Sequence, residues 1–122
     1  PVRLAEGGTV GPALLPCLPG NPVSVLATWL ALGRRLVDGL QGREPRATWH
    51  ARLQTPWSKT HDRFEFLRGC LATDQDGSLS VLPNPADGSH RMRAAADSNA
   101  LILLPEGARD YAQGSVVDVL AY

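Results

Sequence analysis

The spacing of apolar residues changes once along this chain, and the change divides it in two. Val23, Leu26, Leu30, Val37 and Leu40 recur at intervals of three, four and seven, and Val25, Trp29, Leu32 and Leu36 widen the stripe. That is one face of an α-helix. After the Gly42-Arg43-Glu44-Pro45-Arg46 stretch, which reads as a linker, the interval falls to two, the period of a strand. The spacing predicts one helix over 22–41. Asn21 suits its N-cap, and Pro22 its first position, where a missing N–H costs nothing. Gly42 suits its stop. Gly33 and Gly39 weaken the helix without breaking the period.

Upstream, Ala13-Leu14-Leu15-Pro16-Cys17-Leu18 is an apolar run that fits a short buried strand, with Pro16 confining it to an edge or an end. Pro19-Gly20-Asn21-Pro22 then turns the chain sharply. One strand and one helix cannot cover each other's apolar surfaces; the helix needs a sheet and the strand needs neighbours. Residues 1–46 are therefore expected to be the C-terminal strand-helix piece of a larger α/β domain, plus a linker. The chain begins at Pro1 rather than Met, and an absent N-terminal part is expected.

Residues 47–122 read differently. Thr48 to Thr55 alternates loosely. Arg63 to Leu71 alternates more clearly, with Phe64, Phe66 and Cys70 on the face away from Glu65. Asp74-Gln75-Asp76-Gly77 ends in Asp-Gly, a hairpin signal, and Ser78 to Leu82 is the return strand. Leu101 to Leu104, bounded by Asn99 and Pro105, and Gly114 to Tyr122 complete about five strands. The expected fold is mixed: a terminal strand-helix unit of an α/β domain, then a small all-β barrel-like or sandwich domain over 47–122.

Charge and composition exclude several classes. Twelve basic and twelve acidic side chains cancel. A neutral chain lacks the basic face that general nucleic-acid binding requires, so no nucleic-acid partner is expected. The longest apolar run, Leu101 to Leu104, is far short of the roughly 20 residues of a membrane span, and the first residues do not resemble a signal peptide. A cytoplasmic protein without a membrane partner is expected, its Cys17 and Cys70 buried as free thiols. His50, His61 and His90 have no metal-ligand spacing with either cysteine. Eleven of the twelve basic residues are Arg, Lys59 being the exception, and Arg offers planar bidentate donors to phosphate or carboxylate.

Three places could carry chemistry. The strand–PGNP–helix junction combines free N–H groups, a positive dipole end and a glycine that permits close approach, which suits an anion; a rigid strand-to-helix turn would look the same. Arg68 lies in a strand beside Gly69, which would leave its face approachable, although an exposed strand arginine is equally ordinary. Gly88-Ser89-His90 precedes Arg91-Met92-Arg93. Ser89 can cap that turn, and nothing around it forms a nucleophile elbow. Asp74 and Asp76 suit a hairpin turn.

Taken together, these segments resemble one family. Leu18-Pro19-Gly20-Asn21-Pro22-Val23-Ser24 resembles the LPGNPVS motif of the molybdopterin molybdenumtransferases, the MoeA family that includes the C-terminal domain of gephyrin. Arg63-Phe64-Glu65-Phe66-Leu67-Arg68-Gly69 is similar to that family's R-x-[DE]-F-x-R-[GA] strand. Gly88-Ser89-His90, followed by Ser98-Asn99-Ala100-Leu101-Ile102-Leu103-Leu104-Pro105, is similar to its GSH…NALIVLP segment. Gly114 to Val119 is similar to its closing G-x-x-V-x-V strand.

The resemblance implies an elongated homodimer. Its active site lies in a cleft between the α/β domain of one subunit and the C-terminal β-domain of the other. It also implies insertion of molybdate into adenylylated molybdopterin, with a divalent cation such as Mg2+ and release of AMP. On that pattern Pro19, Gly20, Asn21 and Pro22 would shape the pterin-phosphate side of the cleft, and Arg68 and Ser89 would reach in from the β-domain. Two departures stand out. Where the family carries a K-P-G-K-P-like stretch, this chain reads Leu4-Ala5-Glu6-Gly7-Gly8-Thr9-Val10, without Lys. The family's acidic metal-site residues lie upstream of Pro1, so no residue here takes the metal role and the chain alone is expected to be inactive. A non-catalytic binding or scaffold module derived from the same family is the alternative.

Overall fold

The computed structural model describes residues 2–3, 9–10, 17–85 and 96–122. Two short strands, β1 (Val2–Arg3) and β2 (Thr9–Val10), pair antiparallel. The expected strand over 13–18 lies mostly outside the described residues, and Cys17–Pro19 have no regular structure.

The helix forms where the spacing places it, from α1 (Pro22–Thr28) through a π-helical turn (Trp29–Gly33) to α2 (Arg34–Leu40). In the π turn the Arg34 N–H donates to the Trp29 carbonyl, one residue farther back than in an α-helix. Gly33 serves this turn, because a Cβ there would lie 2.4 Å from Cε3 of Trp29. Gly42, at φ +66°, stops the helix in the left-handed conformation that glycine adopts without strain. Leu30, Ala31 and Gly33 are buried, yet Leu32 (67% exposed) and Leu40 (66%) are open. The helix thus carries apolar surface that nothing described covers.

The linker is tied back to the helix. The Arg46 guanidinium donates to both oxygens of Asp38, at 2.6 and 3.2 Å, and Arg43 stands 3.7 Å away. Asp38 is only 6% exposed. Its hydrogen bond to Arg46, aided by the charges of Arg46, Arg43 and Arg34 against the effect of burial, holds its pKa below the ordinary carboxylate value.

Seven further strands follow: β3 (Trp49–Leu53), β4 (Trp57–Lys59), β5 (Glu65–Thr73), β6 (Leu79–Pro83), β7 (Ala100–Leu104), β8 (Arg109–Tyr111) and β9 (Val116–Ala121). Five close into a barrel in the order β3-β6-β5-β7-β9, with β3 and β6 parallel and the other pairs antiparallel. The β5–β6 hairpin turns at Asp74–Ser78: the Ser78 N–H and hydroxyl donate to Asp76, and Gly77 takes φ +82°. β4 and β8 form a separate antiparallel pair that alternation does not reveal, since Trp-Ser-Lys and Arg-Asp-Tyr have no apolar period. Lys59 is buried there, its ammonium donating to the carbonyls of His61 and Gly107, both at 2.9 Å.

Ala51, Leu53, Leu67, Val81, Ile102, Leu104, Val117 and Val119 fill the barrel. Along β5 the inward face is the one that carries Glu65, Leu67, Gly69 and Leu71, so Phe64 and Phe66 stand outside, exposed, with ring centroids 5.1 Å apart. The expectation that both thiols are buried is corrected. Cys17 lies in the exposed turn before the helix, and Cys70, on the outer face of β5, is half-buried.

Gly69 sits where the barrel has no room: a Cβ would lie 2.7 Å from Cγ2 of Val81 and 3.0 Å from Cδ1 of Ile102. Gly69→Val is expected to lower stability by about 1–3 kcal/mol, the usual cost of overpacking, read from the urea unfolding midpoint. Asp38 is stabilised as a carboxylate, so its contribution is present above the unfolded pKa of about 3.9 and is lost as pH falls through the lower folded value. Asp38→Asn should therefore melt below the wild type at pH 7, and the gap should close as pH drops below about 4. A gap that stays constant by circular dichroism would refute the ion pair's role.

Candidate anion-binding site

The turn that opens the helix is open to solvent: Pro19, Gly20, Asn21 and Pro22 are all exposed. The Asn21 carbonyl accepts the Val25 N–H at 2.9 Å, the first helical bond, which places Asn21 at the N-cap as its type suggests. The backbone N–H groups of residues 23 and 24 precede that bond and take no helical acceptor. Gly20 has no positive φ, and among the described residues a Cβ there would meet nothing within 4 Å. Its smallness leaves space on the solvent side of the turn.

The first turns of the helix look across a groove of about 430 Å³ at the approach to β5. Ser24, Ala27 and Thr28 form one side, and His61, Arg63 and Phe64 to Phe66 the other. His61 Nε2 lies 3.7 Å from the Glu65 carboxylate. Arg63 and Ser24 thus face one another across a space that residue-by-residue reading did not identify, although both lie inside motifs it quoted.

Arg68 belongs to another wall. It is half-buried on the outer face of β5, in register with Leu101 of β7, which pairs in turn with Leu120 of β9. The reason expected for its accessibility is corrected: Gly69 points into the barrel, on the opposite face, and makes room for Val81 and Ile102 rather than for a ligand at Arg68. Polar groups also flank its stretch of β5. Its carbonyl accepts the Asn84 N–H at 2.8 Å, and the Asn84 amide donates to the Ser98 hydroxyl at 2.9 Å. The Cys70 thiol donates to the Asp97 carbonyl.

Asn99 completes this wall. Its side chain accepts the Leu71 N–H at 2.6 Å and donates to the Leu71 carbonyl at 3.0 Å, extending the β5–β7 ladder beyond its last backbone pair. Its own carbonyl accepts the Tyr122 N–H. The Tyr122 phenol is raised above its ordinary pKa by burial, against the opposing charge of Arg68, so it is protonated at neutral pH. Asn84, Asn99 and Tyr122 are the neighbours that reading from residues missed. Polar side chains at strand ends look like loop chemistry until the register is known.

Ser89 lies outside the described residues. The described residues on either side of its segment, Asn84 and Asp97, both bond to β5, at Arg68 and Cys70. The groove between Ser24 and Arg63 contains neither the Pro19–Pro22 turn nor Arg68. Among the described residues no three His, Cys, Asp or Glu side chains gather as a metal site, and no helix is long and apolar enough to cross a membrane.

The sequence and the fold are similar to those of known proteins. Residues 50–122 match the model of the MoeA C-terminal region (domain IV). The chain is 34% identical over 108 residues to molybdopterin molybdenumtransferase 1 of Mycobacterium tuberculosis, covering 84% of this chain and 25% of that protein. It is 31% identical over 107 residues to the molybdopterin molybdenumtransferase of Haemophilus influenzae, covering 84% and 26%. The chain thus spans about a quarter of the length of these relatives. The fold is also that of the molybdopterin biosynthesis moeA protein from Pyrococcus horikoshii, with a TM-score of 0.69 at 24% identity over 84% of this chain and 26% of that one. A molybdenum cofactor biosynthesis protein from Pyrococcus furiosus gives 0.64 at 23% identity, over 84% and 36%. With residues 50–122 matching the MoeA C-terminal region and the similarity to the relatives covering 84% of the chain, this protein belongs to the MoeA family.

Proposed function

We propose that this chain is the C-terminal part of a molybdenum cofactor biosynthesis enzyme that inserts molybdate into adenylylated molybdopterin with release of AMP. Residues 1–46 would end its α/β molybdopterin-binding domain, and 47–122 would form its C-terminal β-domain. The observation that carries this reading is the exposed Pro19–Pro22 turn. It is a stiff, exposed helix start at the positive end of the helix dipole, with a glycine whose Cβ position meets no described atom within 4 Å, which is what a phosphate-rich ligand needs from a backbone.

Arg68, and Ser89 with it, would supply the guanidinium and hydroxyl of the facing wall, charge-assisted donors for the same anion. On this reading the turn and Arg68 are contributed by different subunits of a cytoplasmic homodimer. Magnesium would assist at the phosphates. The described residues do not fit it, since no group of three His, Cys, Asp or Glu side chains gathers among them; its ligands would lie in the upstream domains. The second reading, a non-catalytic scaffold module, is favoured by the lysine-free Leu4–Val10 stretch.

The test uses the full-length protein with adenylylated molybdopterin, magnesium and molybdate. Arg68→Ala should slow AMP release by about tenfold or more, while Arg52→Ala, on another strand, should not. An unchanged rate in Arg68→Ala would remove Arg68 from the site. Failure of the wild-type protein to rescue cells unable to insert molybdenum would favour the scaffold reading.

A further inference from the structure

Strand β5 changes partner halfway along. Its residues 65–69 pair with β7 and its residues 69–73 with β6, so Gly69 is common to both ladders. At such a crossover the backbone groups just past the end of each ladder need other partners. Two asparagines supply them. On the β6 side the Asn84 N–H donates to the Arg68 carbonyl at 2.8 Å, one residue beyond the last β6 pair. On the β7 side the Asn99 side chain accepts the Leu71 N–H at 2.6 Å and donates to the Leu71 carbonyl at 3.0 Å. The Asn99 N–H donates to the Gly69 carbonyl at 3.2 Å. Arg68 thus stands at the crossover, between the two asparagines.

The residues before Asn99 also lie against the outer face of β5. Arg68 and Cys70 share that face, two residues apart, and the Cys70 thiol donates to the Asp97 carbonyl at 3.0 Å. The Asn84 amide donates to the Ser98 hydroxyl at 2.9 Å, and Ser98 is only 7% exposed. This bond joins the β6 side of the crossover to the β7 side. From β9, the Tyr122 N–H donates to the Asn99 carbonyl at 3.0 Å, and the Tyr122 phenol feels the charge of Arg68. Asn99 is itself exposed and stands outside the barrel core. An exposed amide that spends both polar atoms on one backbone residue, where water could serve instead, fixes a geometry.

We infer that Asn99 is a positioning residue for Arg68: with Ser98 and Asn84 it locks the crossover of β5, so that the guanidinium is already aimed when an anion arrives. A donor held in place beforehand loses less freedom on binding. The inference deepens the function proposed above and rests on Arg68 taking part in it.

A double-mutant cycle in the full-length protein tests it, reading kcat/KM for AMP release from adenylylated molybdopterin with molybdate and magnesium. Asn99→Ala should lower kcat/KM about tenfold when Arg68 is present. In the Arg68→Ala background the same change should cost under about twofold, because nothing is left to position. Ser98→Ala leaves the Leu71 bonds in place and serves if Asn99→Ala does not fold. It should lose about threefold, with the same dependence on Arg68. An equal loss in both backgrounds would make Asn99 a support of the fold alone and overturn the inference, as would full activity in both single variants. An unchanged rate in Arg68→Ala is a separate failure: it removes Arg68 from the site, and the positioning role with it.

Discussion

Closing only five strands into a barrel leaves an interior with almost no slack, and that constraint orders the rest of this structure. Small barrels are filled by their own side chains, large beside small. Here the small partner is Gly69, packed against Val81 and Ile102 with no space for a methyl group. Because side chains alternate along a strand, an inward Gly69 forces Arg68 outward. Closure of the barrel, not any local preference of arginine, therefore presents that guanidinium on the outer face of β5. The same rule leaves Phe64 and Phe66 outside, a pair of neighbouring aromatic rings on the surface.

The helix obeys a different constraint. It is held to the linker through Asp38 and Arg46, and it buries Leu30 and Ala31 while Leu32 and Leu40 stay open. A helix with apolar residues on more than one side has more than one neighbour to satisfy. The barrel is one; under the reading proposed above, the sheet of an α/β domain would be the other. The turn at Pro19–Pro22 opens this helix and is exposed to solvent.

Much of this was legible in the residues. The helix, with its N-cap Asn21 and its stop at Gly42, needed only periodicity and capping chemistry, which are local. The Asp-Gly turn announced its hairpin for the same reason. Five strands could be counted from alternation and breakers. The β4–β8 pair could not, because three-residue strands of mixed polarity carry no period. Nor could the burial of Lys59, which depends on two carbonyls, one of them 48 residues away in the chain.

What the sequence determined by itself was the order and kind of the elements, the stiff turn before the helix, and the family whose motifs it carries. These rest on local backbone preference and on short contiguous strings. The tertiary structure decided which face of β5 became interior, why residue 69 must be glycine, and that Asn99 would stand in for backbone. Each of these depends on register between segments far apart in the chain, and alternation alone is symmetric between a strand's two faces until a neighbour fills one of them.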